Sequence, residues 1–232
     1  MNIYYKNEQA ELSGDDPVVG SSLYNIYDPM LELTAIFSKN NIKITGDYGI
    51  NSVLVDSLCI GYTNAFRYEL TTQEGSCSGL INDKITIFNF DEILFINGFK
   101  LILESTENLY LGYLFLGCKT LLPRFEAGPE TGKILFSESS RSFGGQVFGV
   151  RRKTLNSFSA SFPRISTEEK KIITEYVDAV LNIEPHIIDP YPDAREEFPP
   201  MYSTLNVSDV SLPKRNENGF YYSSSLSWQE AR

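Results

Sequence analysis

The chain has 232 residues, enough for one large domain or two small ones, and its 42% hydrophobic and 13% aromatic content is ample for a core. Thirty acidic against twenty basic residues leave a net charge of −10, a field that repels nucleic-acid phosphates and anionic membrane surfaces alike. The opening MNIYYKNEQAELSGDD lacks the basic and apolar regions of a secretory signal, so synthesis in the cytoplasm is expected. The longest mostly apolar run, LYLGYLFLGC (109–118), is about half what a membrane helix needs, so no membrane insertion is expected.

The first 22 residues are expected as an N-terminal arm, and GDDPVVGSS favours flexibility there. The stretch 23–128 then reads as a β-sandwich of jelly-roll type. Ile42-Lys43-Ile44-Thr45 alternates, with Asp47 and Gly49 as turn material after it. SVLVDSLCIGY (52–62) and DKITIFNF (83–90) are rich in β-formers, and Asp91 and Glu92 lie in or beside an expected turn. In GFKLILEST (98–106), Phe99, Leu101 and Leu103 fall on one face and Lys100 and Glu104 on the other, the period of a half-buried strand. LYLGYLFLG (109–117) is apolar on both faces and belongs inside a sheet rather than at its edge.

Pro, Gly and charge cluster at LPRFEAGPETGK (122–133), a seam, and a small α+β module is expected over 134–232. SFSASF (157–162) alternates, and Pro163 is expected to end that strand. Ser166-Thr167-Glu168-Glu169 is a capping box, opening a helix over about 167–182. Ile172, Ile173, Tyr176, Val177, Val180 and Leu181 form its apolar stripe, and Asn182 and Pro185 stop it. HIID (186–189), STLNVSDVSL (203–212) and the terminal FYYSSSLSW read as strands, the last with Phe220, Tyr222, Leu226 and Trp228 on one face. Asn218-Gly219 signals a hairpin between them. The expected fold class is therefore mainly β: a sandwich followed by one amphipathic helix on an antiparallel sheet.

Chemistry is thinly supplied. No phosphate-binding glycine loop, metalloprotease helix, Cys-x-x-Cys pair or nucleophile elbow is present. Three cysteines, Cys59, Cys77 and Cys118, are odd in number and far apart, which suits buried or strand-end thiols. His186 is the sole histidine and lies in EPHIIDPYPD among carboxylates and prolines. In an extended chain Glu184 and His186 share one face while Asp189 points to the other, so a strand with His186 hydrogen-bonded at its edge is preferred to a metal or catalytic site. No cofactor, metal or catalytic residue is assigned. Acidic residues beside turns (Asp47, Asp56, Asp83, Asp91, Glu92) are read as solvated; two of them at the right separation would make a carboxylate-dependent glycoside hydrolase, and calcium lacks its Asp-x-Asp-x-Asp-Gly loop. Arg151-Arg152-Lys153 is the one dense basic cluster, a solvated strand face or an edge for an acidic neighbour. Tyr48 and Tyr62 fall near turns, where an aromatic ring can stack on a sugar or anchor an interface.

The segments LYNIYDP, IKITGDYGINSVLVDSLCIGYTN and YLGYLFLGCKTLLPRF resemble the galactose-binding-like (discoidin-like) jelly roll that opens many tail-associated virion proteins of bacteriophages and prophages. SRSFGGQVFGVRRKTLNSFSASFPRIS and YYSSSLSWQE are similar to the module that follows it, so the resemblance runs from about Leu23 to the end. It implies a non-enzymatic structural or interaction protein of a phage tail or tail tip, located in the virion. Its partners would be other tail proteins and further copies of itself, with cell-surface glycans as the alternative ligand. Asp56, Tyr62, Thr63 and Asn64 match the scaffold segment D-x-L-x-I-G-x-T-N, which is not a catalytic signature. The residues expected at a ligand site or interface are thus Asp47, Tyr48, Tyr62, Asn64, Arg151, Arg152 and Lys153.

Overall fold

The computed structural model describes residues 1–27, 34–126, 130–141, 147–180, 185–206, 211–215 and 221–231, with backbone alone at 130 and 134–154. The chain divides into two compact units, Asn2–Thr120 and Leu121–Ala231. It is mainly β, and no described helix is long and apolar enough to cross a membrane.

The first unit carries β1 (Asn2–Tyr4), β2 (Glu11–Gly14), a 3-10 turn (Leu23–Tyr27), β3 (Ala35–Ile36), β4 (Asn41–Asp47), β5 (Val53–Thr63), β6 (Arg67–Thr72), β7 (Gly75–Leu80), β8 (Ile85–Ile96), β9 (Gly98–Glu104) and β10 (Tyr110–Gly117). A five-stranded sheet runs β2-β4-β9-β6-β7 and a four-stranded sheet β3-β10-β5-β8, every recorded pairing antiparallel. Alternation decides which side of each strand fills the space between them. Ile42 and Ile44, Leu101 and Leu103, and Tyr68 and Leu70 point inward from one sheet, meeting Leu58, Ile60, Leu111, Leu114 and Leu116 of the other. Each such burial is worth about 1.5–3 kcal/mol. Gly46 faces Phe99 so closely that a Cβ would lie 2.2 Å from the ring, so only glycine lets that ring lie flat on β4.

LYLGYLFLG forms the interior strand its sequence predicts. On its second face Phe115 packs edge-on against Tyr4, with ring centroids 5.7 Å apart. Residues 2–22 are tied into this unit. Asn7 donates from Nδ2 to Leu114 O at 2.8 Å and accepts from Leu116 N at 3.0 Å, while β2 pairs with β4 and buries Leu12. The amide side chain imitates a strand neighbour, a device that composition does not announce.

The expected turn at Asp91 and Glu92 is instead part of β8. Asn89 pairs with Ser57 and Leu94 with Val55, so Phe90, Asp91, Glu92 and Ile93 all stand opposite Asp56. Four residues against one make a wide bulge that carries the strand outward and back without ending it. RYELTT and GSCSGL, to which no strand was assigned from sequence, pair as the β6–β7 hairpin.

In the second unit follow β11 (Thr120–Leu121), β12 (Glu130–Arg141), β13 (Val147–Ile165), α1 (Thr167–Val180), β14 (His186–Asp189), β15 (Met201–Leu205), β16 (Ser211–Arg215) and β17 (Tyr222–Glu230). Its strands order as β14-β15-β17-β13-β12, with β16 also on β17. Phe158, Ala160 and Phe162 are buried as their alternation requires, and Leu226 and Trp228 lie buried on β17. Pro163 does not end β13; the register to β17 shifts between Phe162 and Ile165, because a residue without N–H must sit at an irregularity. The capping box forms as expected: Ser166 Oγ accepts from Glu169 N at 3.2 Å and Ser166 N donates to the Glu169 carboxylate at 2.8 Å. Ile173, Tyr176, Val177 and Val180 form the buried stripe of α1. Leu181, Asn182 and Glu184, the middle of STLNVSDVSL (207–210) and Asn218-Gly219 lie outside the described residues.

Candidate functional site

His186 is built into a core, not a site. It is 2% exposed on β14, the strand next to β15. Trp228 Nε1 donates to Tyr176 Oη at 2.7 Å, and that hydroxyl lies 2.6 Å from His186 Nε2. The Tyr176 hydroxyl therefore bridges the indole and the imidazole, satisfying a polar atom of each inside the core. Asp189 points to the other face, as alternation predicts, and Arg195 holds its Oδ2 at 2.6 Å. Burial raises the Asp189 carboxyl above its ordinary range, while Arg195 pulls the other way. Among the described residues no three His, Cys, Asp or Glu side chains are grouped to hold a metal ion.

The residues expected at a ligand site are not brought together. Tyr62 and Asn64 stand at one end of the sandwich, where β5 leads to β6. Tyr62 adopts φ +54°, an uncommon conformation for a non-glycine residue, and Lys84 Nζ lies 4.7 Å from its ring centroid. Asn64 donates to Asn108 O and accepts from Tyr110 N, each at 2.9 Å, so its amide stitches two loops. Asp47 and Tyr48 stand at the opposite end, after β4. Asp47 accepts from Gly49 N at 2.7 Å, closing a turn in which Gly49 has φ +68°. Tyr48 rests on Phe99 and donates to Glu8 O at 3.2 Å; burial drives its hydroxyl far above the usual tyrosine range. Arg151, Arg152 and Lys153 lie on β13, their side chains outside the described residues.

The acids are likewise dispersed. Asp83 sits at the Tyr62 end and Asp47 at the other. Asp56 accepts from Lys119 N at 2.9 Å and from Ser57 Oγ at 2.5 Å, scaffold duties both. Asp91 and Glu92 are different, because the β8 bulge places them on the rim of a cleft.

That cleft is the concave feature which sequence reasoning missed. It has a volume of about 300 Å³ and opens at the edge of the sandwich, between β7, the last strand of one sheet, and β8, the last of the other. Leu70, Leu94, Phe88 and Phe90 make its apolar wall. The two phenylalanine rings meet edge to face at 5.3 Å, and Phe88 is braced by Tyr68 at 6.5 Å. Thr72 fixes the β6–β7 turn beside it, accepting from Glu74 N and donating to Gly75 O, both at 3.2 Å. Ser76 adds a hydroxyl, Cys77 a thiol, and Glu74, Asp91 and Glu92 three carboxylates, with no basic residue in the lining among the described residues. Burial pushes the Cys77 thiol up to about 11. Two signals in the sequence bear on this place: the Thr-Thr-Gln-Glu-Gly turn, and an acidic pair interrupting an otherwise apolar strand.

No protein-family model matches the sequence, and no curated protein does. Parts of the chain are similar to solved structures. One is a CBM32 module of Clostridium perfringens, CpGH89CBM32-4, in complex with GlcNAc-α-1,4-galactose (14% identity over 49% of this chain and 93% of that one, TM-score 0.40). Another is a Ruminococcus gnavus GH29 fucosidase in complex with fucose (14% identity over 50% of this chain and 26% of that one, TM-score 0.42). A third is a mutant lectin binding domain of Lectinolysin complexed with Lewis b (10% identity over 46% of this chain and 90% of that one, TM-score 0.38).

Proposed function

We propose that the sandwich unit is a non-catalytic glycan-binding body and that its ligand lies in the cleft between β7 and β8. The observation that carries this is the lining: two phenylalanine rings as an apolar wall, with hydroxyls and carboxylates around the rim. A sugar ring is amphipathic in the complementary way, apolar C–H faces and a girdle of hydroxyl donors. About 300 Å³ is at the small end of ligand pockets and holds one or two sugar residues. The test is a glycan panel followed by titration calorimetry on the whole protein, beside Ser76→Tyr, which fills the mouth from an exposed strand position. Binding that Ser76→Tyr removes while circular dichroism is unchanged supports the reading. A panel blank at millimolar sugar ends it.

A second reading is an interaction subunit, as the resemblance to phage tail proteins implies, with a virion location. Its support beyond that resemblance is the cross-strand pair Leu54 and Phe95, which are 52% and 56% exposed, with Ile93 exposed nearby on β8. Mass measurement of the assembled state and co-sedimentation with particles test it; a strictly monomeric protein that joins no particle sinks it.

A further inference from the structure

The charge of the cleft selects among glycans, an inference that rests on the glycan-binding reading above. Glu74, Asp91 and Glu92 rim it, no lysine, arginine or histidine among the described residues lines it, and the chain as a whole carries −10. Glu74 is held on the tight β6–β7 turn, while Asp91 and Glu92 ride the β8 bulge, so the rim closes from two different strands over an apolar floor. Three carboxylates beside a low-dielectric wall focus a negative potential into the opening. A uronic or sialic acid would be repelled; a neutral sugar would gain only stacking and hydrogen bonds. A sugar that carries an ammonium group would use all three features at once: a ring face for Phe88 and Phe90, a hydroxyl for Ser76, and a cation for the rim. We infer that the cleft takes amino sugars bearing a free, protonated amine, such as de-N-acetylated hexosamine units of a cell-surface polysaccharide, in preference to their N-acetylated or acidic counterparts.

Cys77 supplies a local reporter, because it lines the cleft while Cys59 is buried. In Cys118→Ser protein, a β-1,4-linked glucosamine tetramer is loaded in mild acid, and modification of Cys77 by 4,4′-dithiodipyridine, a disulfide that stays reactive toward thiols in acid, is followed by mass spectrometry with and without it. Titration calorimetry gives the affinity for that tetramer, for its fully N-acetylated form and for a galacturonic acid oligomer. At low salt the amine form should bind about tenfold more tightly than the N-acetylated form and should shield Cys77, an advantage that shrinks toward physiological salt. The galacturonate oligomer should not bind. Glu74→Gln, Asp91→Asn and Glu92→Gln combined should erase the tenfold difference, weakening the amine form far more than the N-acetylated form. Equal or tighter binding of the N-acetylated or acidic oligomer would overturn the charge inference while leaving glycan binding intact. Binding of a tri-lysine peptide with no binding of any sugar would overturn both, in favour of a basic protein partner.

Discussion

Two places in this molecule gather aromatic rings beside polar groups, and they serve opposite ends. In the second unit Tyr176, His186 and Trp228 are 0%, 2% and 0% exposed, and their polar atoms are directed at one another. In the first unit Phe88 and Phe90 are half-buried beside exposed carboxylates and hydroxyls that look into open space. A residue type with catalytic potential, sealed among partners, is architecture: desolvation makes each lost partner costly, so the set is locked. Residue types with no reputation for chemistry, left half-covered at a sheet edge, are the ones free to receive a ligand.

The comparison is broken most forcefully from the sealed side. Tyr176→Phe keeps the ring but removes the hydroxyl that accepts from the indole and hydrogen-bonds the imidazole. With those groups buried, the loss should cost about 2–4 kcal/mol. The sole tryptophan reports on this very cluster, so urea unfolding followed by Trp228 fluorescence reads the shift in midpoint. A change below about 0.5 kcal/mol would mean that water reaches the cluster and the contrast is false.

On the open side the next effect is kinetic. Cys77 is raised from 9.0 to about 11, which at neutral pH leaves about 100-fold less thiolate than an ordinary cysteine. Alkylation should therefore be slow and should climb tenfold per pH unit until near that value. Fast reaction at neutral pH would show that the cleft is wetter and more polar than its apolar wall implies.

How far the sequence foretold these places depends on the kind of signal. Strands with one buried face were legible: Phe99, Leu101 and Leu103, or Phe158, Ala160 and Phe162, alternate because one side meets a core. The capping box was legible because its hydrogen bonds are local, spanning three residues. The cleft was not, because it depends on long-range pairing. Whether Asp91 and Glu92 turn the chain or bulge from a strand is settled by where Val55 and Ser57 find partners, and the flanking residues do not encode that. Asn64, singled out from the motif, proves to fasten loops, since an amide that suits a ligand suits backbone groups equally well.

The helix that carries Tyr176 offers a finer probe of the sealed region. Ser166→Ala removes the acceptor for Glu169 N and should cost about 1 kcal/mol, within the range for lost N-caps. Hydrogen exchange should show the loss confined to the first turn of α1, while the amide of Tyr176, deeper in the helix, changes little. Uniform loss of protection along α1 would mean that the helix opens as one piece and the cluster is sealed only as firmly as its cap.

The smallest effect sharpens the comparison most. Glu74, Asp91 and Glu92 are exposed, and neutralising them should move stability by no more than about 0.5 kcal/mol in either direction. Like charges on one rim repel weakly through water, so any shift should be a slight gain that disappears in salt. Residues kept for folding do not behave so: removing the Tyr176 hydroxyl is expected to cost several times more. If the triple amide variant were instead destabilised by several kcal/mol, the carboxylates would be anchoring the β8 bulge or the β6–β7 turn. The acidic rim would then have been placed by folding, as His186 was, and the distinction between a sealed cluster and a receptive one would fail at the point where function was assigned to it.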